Sequence, residues 1–168
     1  MFFKAKNGKI DIEDTEINYI TFGEGPKSLV MIPGIGESLT SFKGLASPLA
    51  LMYRKFAKEY KVYILSRRTK LPESFSTKDM ANDVIKSMEI LNIEKADLVG
   101  VSQGGMISQY VAITAPEKIN KLVLIVTVAR KNDILLDSVE KWTGFAKEGK
   151  FKELMMDTAE RSYVGEYL

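Results

Sequence analysis

Four short apolar runs, Ser28–Ile32, Val62–Leu65, Ala96–Val99 and Lys121–Val126, are separated by stretches with the spacing of amphipathic helices. Strand-length runs alternating with helices leave a narrow choice of folds, because each run must be buried in a sheet and each helix must return the chain across it. The expectation is an α/β fold with a mostly parallel sheet and helices on both faces. Glu16–Phe22 largely alternates polar with apolar, as a strand with one solvated face does, and Gly23-Glu24-Gly25-Pro26 breaks it. Lys121–Val126 is apolar on both faces, the mark of a strand inside a parallel sheet.

The helical stretches carry their own signals. Ser47-Pro48 reads as an N-cap followed by a proline at the first helical position, with Leu49, Met52, Phe56 and Tyr60 at helical spacing. Ser76–Asn92 reads as a helix whose stripe of Met80, Val84, Met88 and Leu91 packs on the core. Gly104–Ala115 is helical and stops before Pro116. After Arg130 the pattern changes. Leu135, Val139, Trp142 and Ala146 suit one amphipathic helix, Phe151, Leu154 and Met155 a second beyond Gly149, and no strand-like run follows to Leu168. Residues 1–130 are therefore expected to form the core and 131–168 a helical segment.

Ala96–Val99 runs directly into Gly100-Val101-Ser102-Gln103-Gly104, which opens the next helix. This G-x-S-x-G sequence between a strand and a helix has the form of a nucleophile elbow. The serine takes a strained backbone conformation on a tight turn, and the glycines on either side let neighbouring backbone pass close. The helix that follows points free N–H groups and the positive end of its dipole toward the hydroxyl. Yet a serine hydroxyl is a weak nucleophile until an adjacent base takes its proton. That base is ordinarily histidine, and this chain of 168 residues has none.

The stretch Ala96–Gly100 through Val101-Ser102-Gln103-Gly104-Gly105-Met106, continued by Ala115-Pro116-Glu117-Lys118-Ile119-Asn120-Lys121-Leu122-Val123-Leu124, resembles the α/β-hydrolase fold superfamily, in particular its small esterase- and lactonase-like members. The resemblance extends upstream to about residue 10. It implies that Ser102 is the catalytic nucleophile and that the Gln103 backbone N–H forms half of an oxyanion hole. The other half is implied to come from the loop Pro33-Gly34-Ile35-Gly36, with the Ile35 N–H as donor and Gly34 and Gly36 giving room. Gly100, Gly104 and Gly105 are the elbow glycines. A serine at position 102, where an aspartate would suit haloalkane or epoxide chemistry, points to cleavage of an ester, thioester or lactone through an acyl-Ser102 intermediate. Two departures stand out. Pro33 replaces the usual His before Gly34, and Ser66-Arg67-Arg68-Thr69 replaces the usual Asp-x-Arg-Gly, with only Arg68 matching.

In the superfamily the acid and then the base follow the nucleophile on loops after later strands. The residues after Ser102 hold the elbow helix, a sixth strand and helical material, so the chain reads as the N-terminal portion of a hydrolase, truncated after the sixth strand and part of a lid. Asp133 and Asp137 follow the sixth strand, where some members carry the acid, but without His neither completes a triad. A lysine base would have to sit desolvated beside the serine, and no lysine lies in an apolar setting near the elbow in sequence. The alternatives to an incomplete hydrolase are a non-catalytic binding module of the same fold and one half of a split enzyme. The unpaired edge of the sixth strand is expected to associate with itself or with the missing portion.

Composition narrows the partners. A formal charge of +2, with a single short basic cluster at Arg67-Arg68-Thr69-Lys70 expected in a solvated loop, argues against nucleic acid. Without Cys or His the chain lacks the donors of ordinary zinc and copper sites, and no cofactor is expected. No apolar stretch suits a signal peptide or a membrane span, so the expected location is cytoplasmic and the expected ligand a small acyl compound.

Overall fold

The computed structural model describes residues 3–39 and 44–163. Six strands form one sheet: β1 (Lys6–Ile12), β2 (Thr15–Phe22), β3 (Lys27–Ile32), β4 (Tyr60–Arg68), β5 (Ala96–Val101) and β6 (Ile119–Ile125). Their order across the sheet is β1-β2-β4-β3-β5-β6. β1 and β2 are antiparallel to their neighbours, and β4, β3, β5 and β6 are mutually parallel. The helices are α1 (Gly36–Leu39), α2 (Ala46–Met52), α3 (Thr77–Ile90), α4 (Gln103–Thr114), α5 (Asp133–Lys147) and α6 (Phe151–Ser162).

The alternation of the apolar runs places the two cores. On one face Val30, Ile32, Tyr63, Leu65 and Leu98 pack against Ala81, Val84 and Met88 of α3 and Ile107 and Val111 of α4. On the other, Ile20, Phe22, Leu29, Val62 and Ile64 pack against Ala46 and Ala50 of α2. The mostly parallel sheet with helices on both faces is thus the observed architecture.

Contacts divide the chain into two compact units, 1–129 and 130–168. In the second, Asn132 caps α5 by accepting from the Leu135 N–H at 2.8 Å. The two helices meet around Asp157, which accepts from Trp142 Nε1 (2.8 Å) and Arg161 Nε (2.8 Å) and pairs with Lys141. These donors, the Lys141 ammonium first, hold the Asp157 carboxyl down at about 2. The last five positions of the expected helical segment, 164–168, lie outside the described residues.

Several local expectations are corrected. β1 has no counterpart in the sequence reading, because only Ile10 and Ile12 mark its buried face and its two-residue turn, Glu13-Asp14, lacks the usual glycine. Ser47 is not an N-cap: α2 starts at Ala46, with Leu45 at the cap and no side-chain hydrogen bond there. That helix ends at Met52, and Met52 and Phe56 are exposed, so the stripe to Tyr60 is not one helical face. Ser76, by contrast, does cap α3, in a reciprocal pair of bonds with Asp79.

The basic cluster is the largest correction. Arg67 and Arg68 are not in a solvated loop; they end β4 and each is only 9% exposed. Both charges have partners where the strand ends. Arg68 makes a two-pronged pair with Asp83 of α3 at 2.6 and 2.8 Å and lies over the Phe75 ring. That pair raises the Arg68 guanidinium pKa above its ordinary value.

Candidate active site

β5 delivers Ser102 to the carboxyl end of the parallel strands, and the chain turns there at once into α4. The turn is made on Ser102 itself, at φ 52° and ψ −120°, a region that L-residues rarely occupy and that costs on the order of 1–3 kcal/mol. Four hydrogen bonds hold it. The Ser102 N–H donates to Ile125 O of β6 (2.9 Å), while its carbonyl accepts from Gly105 N (2.9 Å), Met106 N (3.3 Å) and Thr127 Oγ1 (2.8 Å). Ser102 occupies the N-cap of α4, yet its side chain makes no capping bond. Among the described residues no group hydrogen-bonds to its Oγ, and the residue is partly exposed rather than packed in the interior.

The glycines around the elbow are there because neighbouring atoms occupy the space of a side chain. A Cβ on Gly100 would lie 2.4 Å from Ser108 Oγ and 2.6 Å from Gly104 O. On Gly104 it would lie 2.0 Å from Ile32 O and 2.4 Å from Pro33 O, and on Gly105 2.5 Å from Thr127 Cβ. The first turn of α4 is therefore pressed against the carbonyls at the end of β3.

The same closeness brings the β3 loop to the serine. A Cβ on Gly34 would lie 3.3 Å from Ser102 Cβ and 3.8 Å from Ser102 Oγ. Ile35 is 57% exposed at the turn, and Gly36 opens α1 with no atom of the described residues within 4 Å of its Cβ position. Of the residues singled out by sequence, Ser102, Gln103, Gly34, Gly100, Gly104 and Gly105 thus form one cluster, with Ile35 and Gly36 on the loop that continues from Gly34.

Three further residues support this cluster and were missed. Arg67 reaches from the end of β4 to donate to Pro33 O at 2.7 Å, and the same nitrogen lies 3.5 Å from Gln103 Oε1. Burial lowers its guanidinium pKa below the ordinary value, an effect that Glu37 opposes. Glu37, 8% exposed, accepts from the Ser66 hydroxyl and from the Arg67 N–H (3.3 Å). Thr127 carries the bond to the Ser102 carbonyl just after β6. Arg67 carries a signal only in hindsight, as a charge two positions after the end of an apolar run; Thr127 carries none.

Asp133 lies in the first turn of α5 and Asp137 pairs with Arg161 at 3.3 Å. No group of three or more metal-binding side chains occurs among the described residues, and no helix there is long and apolar enough to cross a membrane.

The comparisons agree with the fold. Residues 27–161 match the family model described as alpha/beta hydrolase fold. The chain is 25% identical over 119 residues to 3-oxoadipate enol-lactonase 2 of Acinetobacter baylyi, covering 70% of this chain and 44% of that protein. It is 25% identical over 139 residues to epoxide hydrolase 1 of Caenorhabditis elegans, covering 82% and 34%. Among solved structures, MGS-M2, an alpha/beta hydrolase enzyme from a Medee basin deep-sea metagenome library, superposes with a TM-score of 0.76 at 22% identity, over 88% of this chain and 54% of that one. The chain spans less than half the length of these two curated relatives.

Proposed function

Because the chain belongs to the α/β-hydrolase fold family, we propose that it carries the nucleophile and the oxyanion-binding half of a serine hydrolase that cleaves an ester, thioester or lactone. The carrying observation is Ser102 at φ 52° at the head of α4, its Oγ spent on no cap and facing the Gly34 loop. In this reading Ser102 Oγ attacks the acyl carbon while a base takes its proton. The carbonyl electrons move to oxygen, and the Ile35 and Gln103 N–H groups meet the resulting negative charge. Collapse expels the leaving group with a proton returned from the base, and water then hydrolyses the acyl-serine by the same steps. Removing one such donor from another enzyme has cost about 3–4 kcal/mol of transition-state stabilisation.

The base and its acid partner come, in this proposal, from polypeptide beyond these residues. The absence of histidine from the chain supports that division, and so does its short span against its relatives. The edge of β6 is the surface through which that polypeptide, or a second copy, attaches.

Imidazole can test the reading, because it replaces the missing base. A fluorophosphonate is added to the protein with increasing imidazole, and the modified residue is located by peptide mass spectrometry. Phosphonylation should fall on Ser102, rise with the concentration of neutral imidazole and vanish in Ser102→Ala. Equal, imidazole-independent modification of surface serines would overturn the proposal in favour of a non-catalytic module.

A further inference from the structure

We propose that Arg67 is a positioning residue for the oxyanion hole, holding both ends of the loop from Pro33 to Glu37 and tying that loop to the elbow. This rests on the serine-hydrolase reading for its chemical meaning, but the contacts stand by themselves. The guanidinium donates to Pro33 O, at the start of the loop, at 2.7 Å. The main-chain N–H of the same residue donates to the Glu37 carboxylate, at the end of the loop, at 3.3 Å. Ile35, the proposed donor, lies between these two fixed points and is otherwise an exposed turn residue.

Pro33 O is also where the loop touches the elbow. The backbone of Gly104 passes so close to it that a Cβ would lie 2.4 Å away. The Arg67 nitrogen bonded to Pro33 O points in addition toward Gln103 Oε1 at 3.5 Å. One cation thus fixes the carbonyl against which the first turn of α4 is seated and faces the side chain of the second proposed donor. A carbonyl that turned by a few tens of degrees would turn the Gly34 N–H with it, since the peptide unit is planar, and would re-aim the chain that leads to Ile35. A buried arginine with a rigid fork of donors suits this task better than a flexible lysine. Among the described residues its Nε is buried without a hydrogen-bond partner, which a purely stabilising ion pair such as Arg68–Asp83 avoids. Arg67 also borders an open pocket of 220 Å³ with Asn18, Glu37 and Ser66, which gives small solutes a route to its place.

The test compares Arg67→Ala with Arg68→Lys, a variant that perturbs the neighbouring buried pair on the same strand. Two measurements are made: the ¹H–¹⁵N positions of the Ile35 and Gln103 amides, and the imidazole-assisted phosphonylation rate of Ser102. Arg67→Ala should move both amide signals and slow phosphonylation about 10- to 100-fold, a smaller loss than deleting a donor outright. Added methylguanidinium should restore both. Arg68→Lys should lower the melting temperature while leaving the two amide signals in place. If Arg67→Ala does not fold, Arg67→Lys is titrated instead. A buried lysine loses its proton at a lowered pKa, so the two amide signals should shift together as pH rises, with Glu37 the facing carboxylate. Amide signals unmoved in Arg67→Ala, moved equally by Arg68→Lys, or independent of pH in Arg67→Lys would overturn the proposal. Failure of the unsubstituted protein to react at Ser102 would count against the hydrolase reading alone, since the amide measurement needs no reaction.

Discussion

β5 and β6 are adjacent parallel strands with similar apolar runs, and they differ almost completely in burial. In β5, Ala96 and Leu98 are 2% and 0% exposed, and Gly100 is buried under α4. In β6, Leu122, Val123, Leu124 and Ile125 are 37–45% exposed. Asp97 to Gly100 of β5 have strand neighbours on two sides, β3 and β6, whereas β6 pairs with β5 alone among the described residues. The other edge of the sheet shows what a finished border looks like. β1 carries Lys9 in ion pairs with Asp11 and Glu16 at 3.2 and 2.6 Å and turns its polar residues outward. Charged side chains along an edge discourage pairing with another strand, and β6 lacks them from Leu122 onward. An apolar strand is stabilised by what lies beside it, so similar apolar runs yield an enclosed support for Ser102 in one place and an open border in the next.

The sharpest test of that contrast is at the tight end. Gly104→Ala places a methyl group on the Ile32 and Pro33 carbonyls, and neither backbone atom can swing away as a side chain would. The loss should reach at least about 3 kcal/mol in urea unfolding, or the protein should fail to fold. Leu98→Ala, in the middle of β5, should cost about 2–5 kcal/mol in the same measurement. Val123→Ala, paired directly beside Val99 on β6, should cost under about 1 kcal/mol at low protein concentration. A loss at Val123 as large as that at Leu98 would break the comparison, because it would mean that β6 is covered in solution. Val123→Lys should reduce association seen by light scattering, without lowering the melting temperature.

The smallest expected effect concerns the helical unit, where Ile134, Phe151 and Met155 are also exposed but a polar centre holds α5 to α6. Asp157 titrates at about 2 in the fold against an ordinary value of 3.8. Its contribution is therefore complete above about pH 4 and is lost as the pH falls toward 2. Tryptophan fluorescence should report Trp142 leaving Asp157 over that interval, and Asp157→Asn should remove the pH dependence. A Trp142 signal that is flat from pH 4 to 2 in the unsubstituted protein would show that apolar contact alone joins the helices.

Much of this molecule is legible from residue pattern. The runs that became β3, β4, β5 and β6 stand out because short apolar stretches bounded by glycine, proline or charge have few alternatives to a buried strand. The G-x-S-x-G turn stands out for a related reason: only glycine fits where backbones approach to 2.0–2.6 Å of a would-be Cβ. β1 does not stand out, since two isoleucines and a turn without glycine are a faint signal. Arg67 and Arg68 misled for a physical reason. Two adjacent arginines normally seek water, and what buried them was Asp83, fifteen residues onward, and the Pro33 carbonyl, thirty-four residues back.

The amino-acid sequence by itself determined the alternation of strands and helices, the place of Ser102 at a strand-to-helix bend, and the lack of any histidine to activate it. Those are local properties, set by side-chain periodicity, steric allowance and chemical inventory. Tertiary structure alone decided which apolar strand is enclosed and which is left at the border, and that Arg67 rather than Arg68 is the arginine bonded to the Pro33 carbonyl. Burial and the pairing of charges depend on which distant atoms arrive as neighbours, and that is a property of the packed chain.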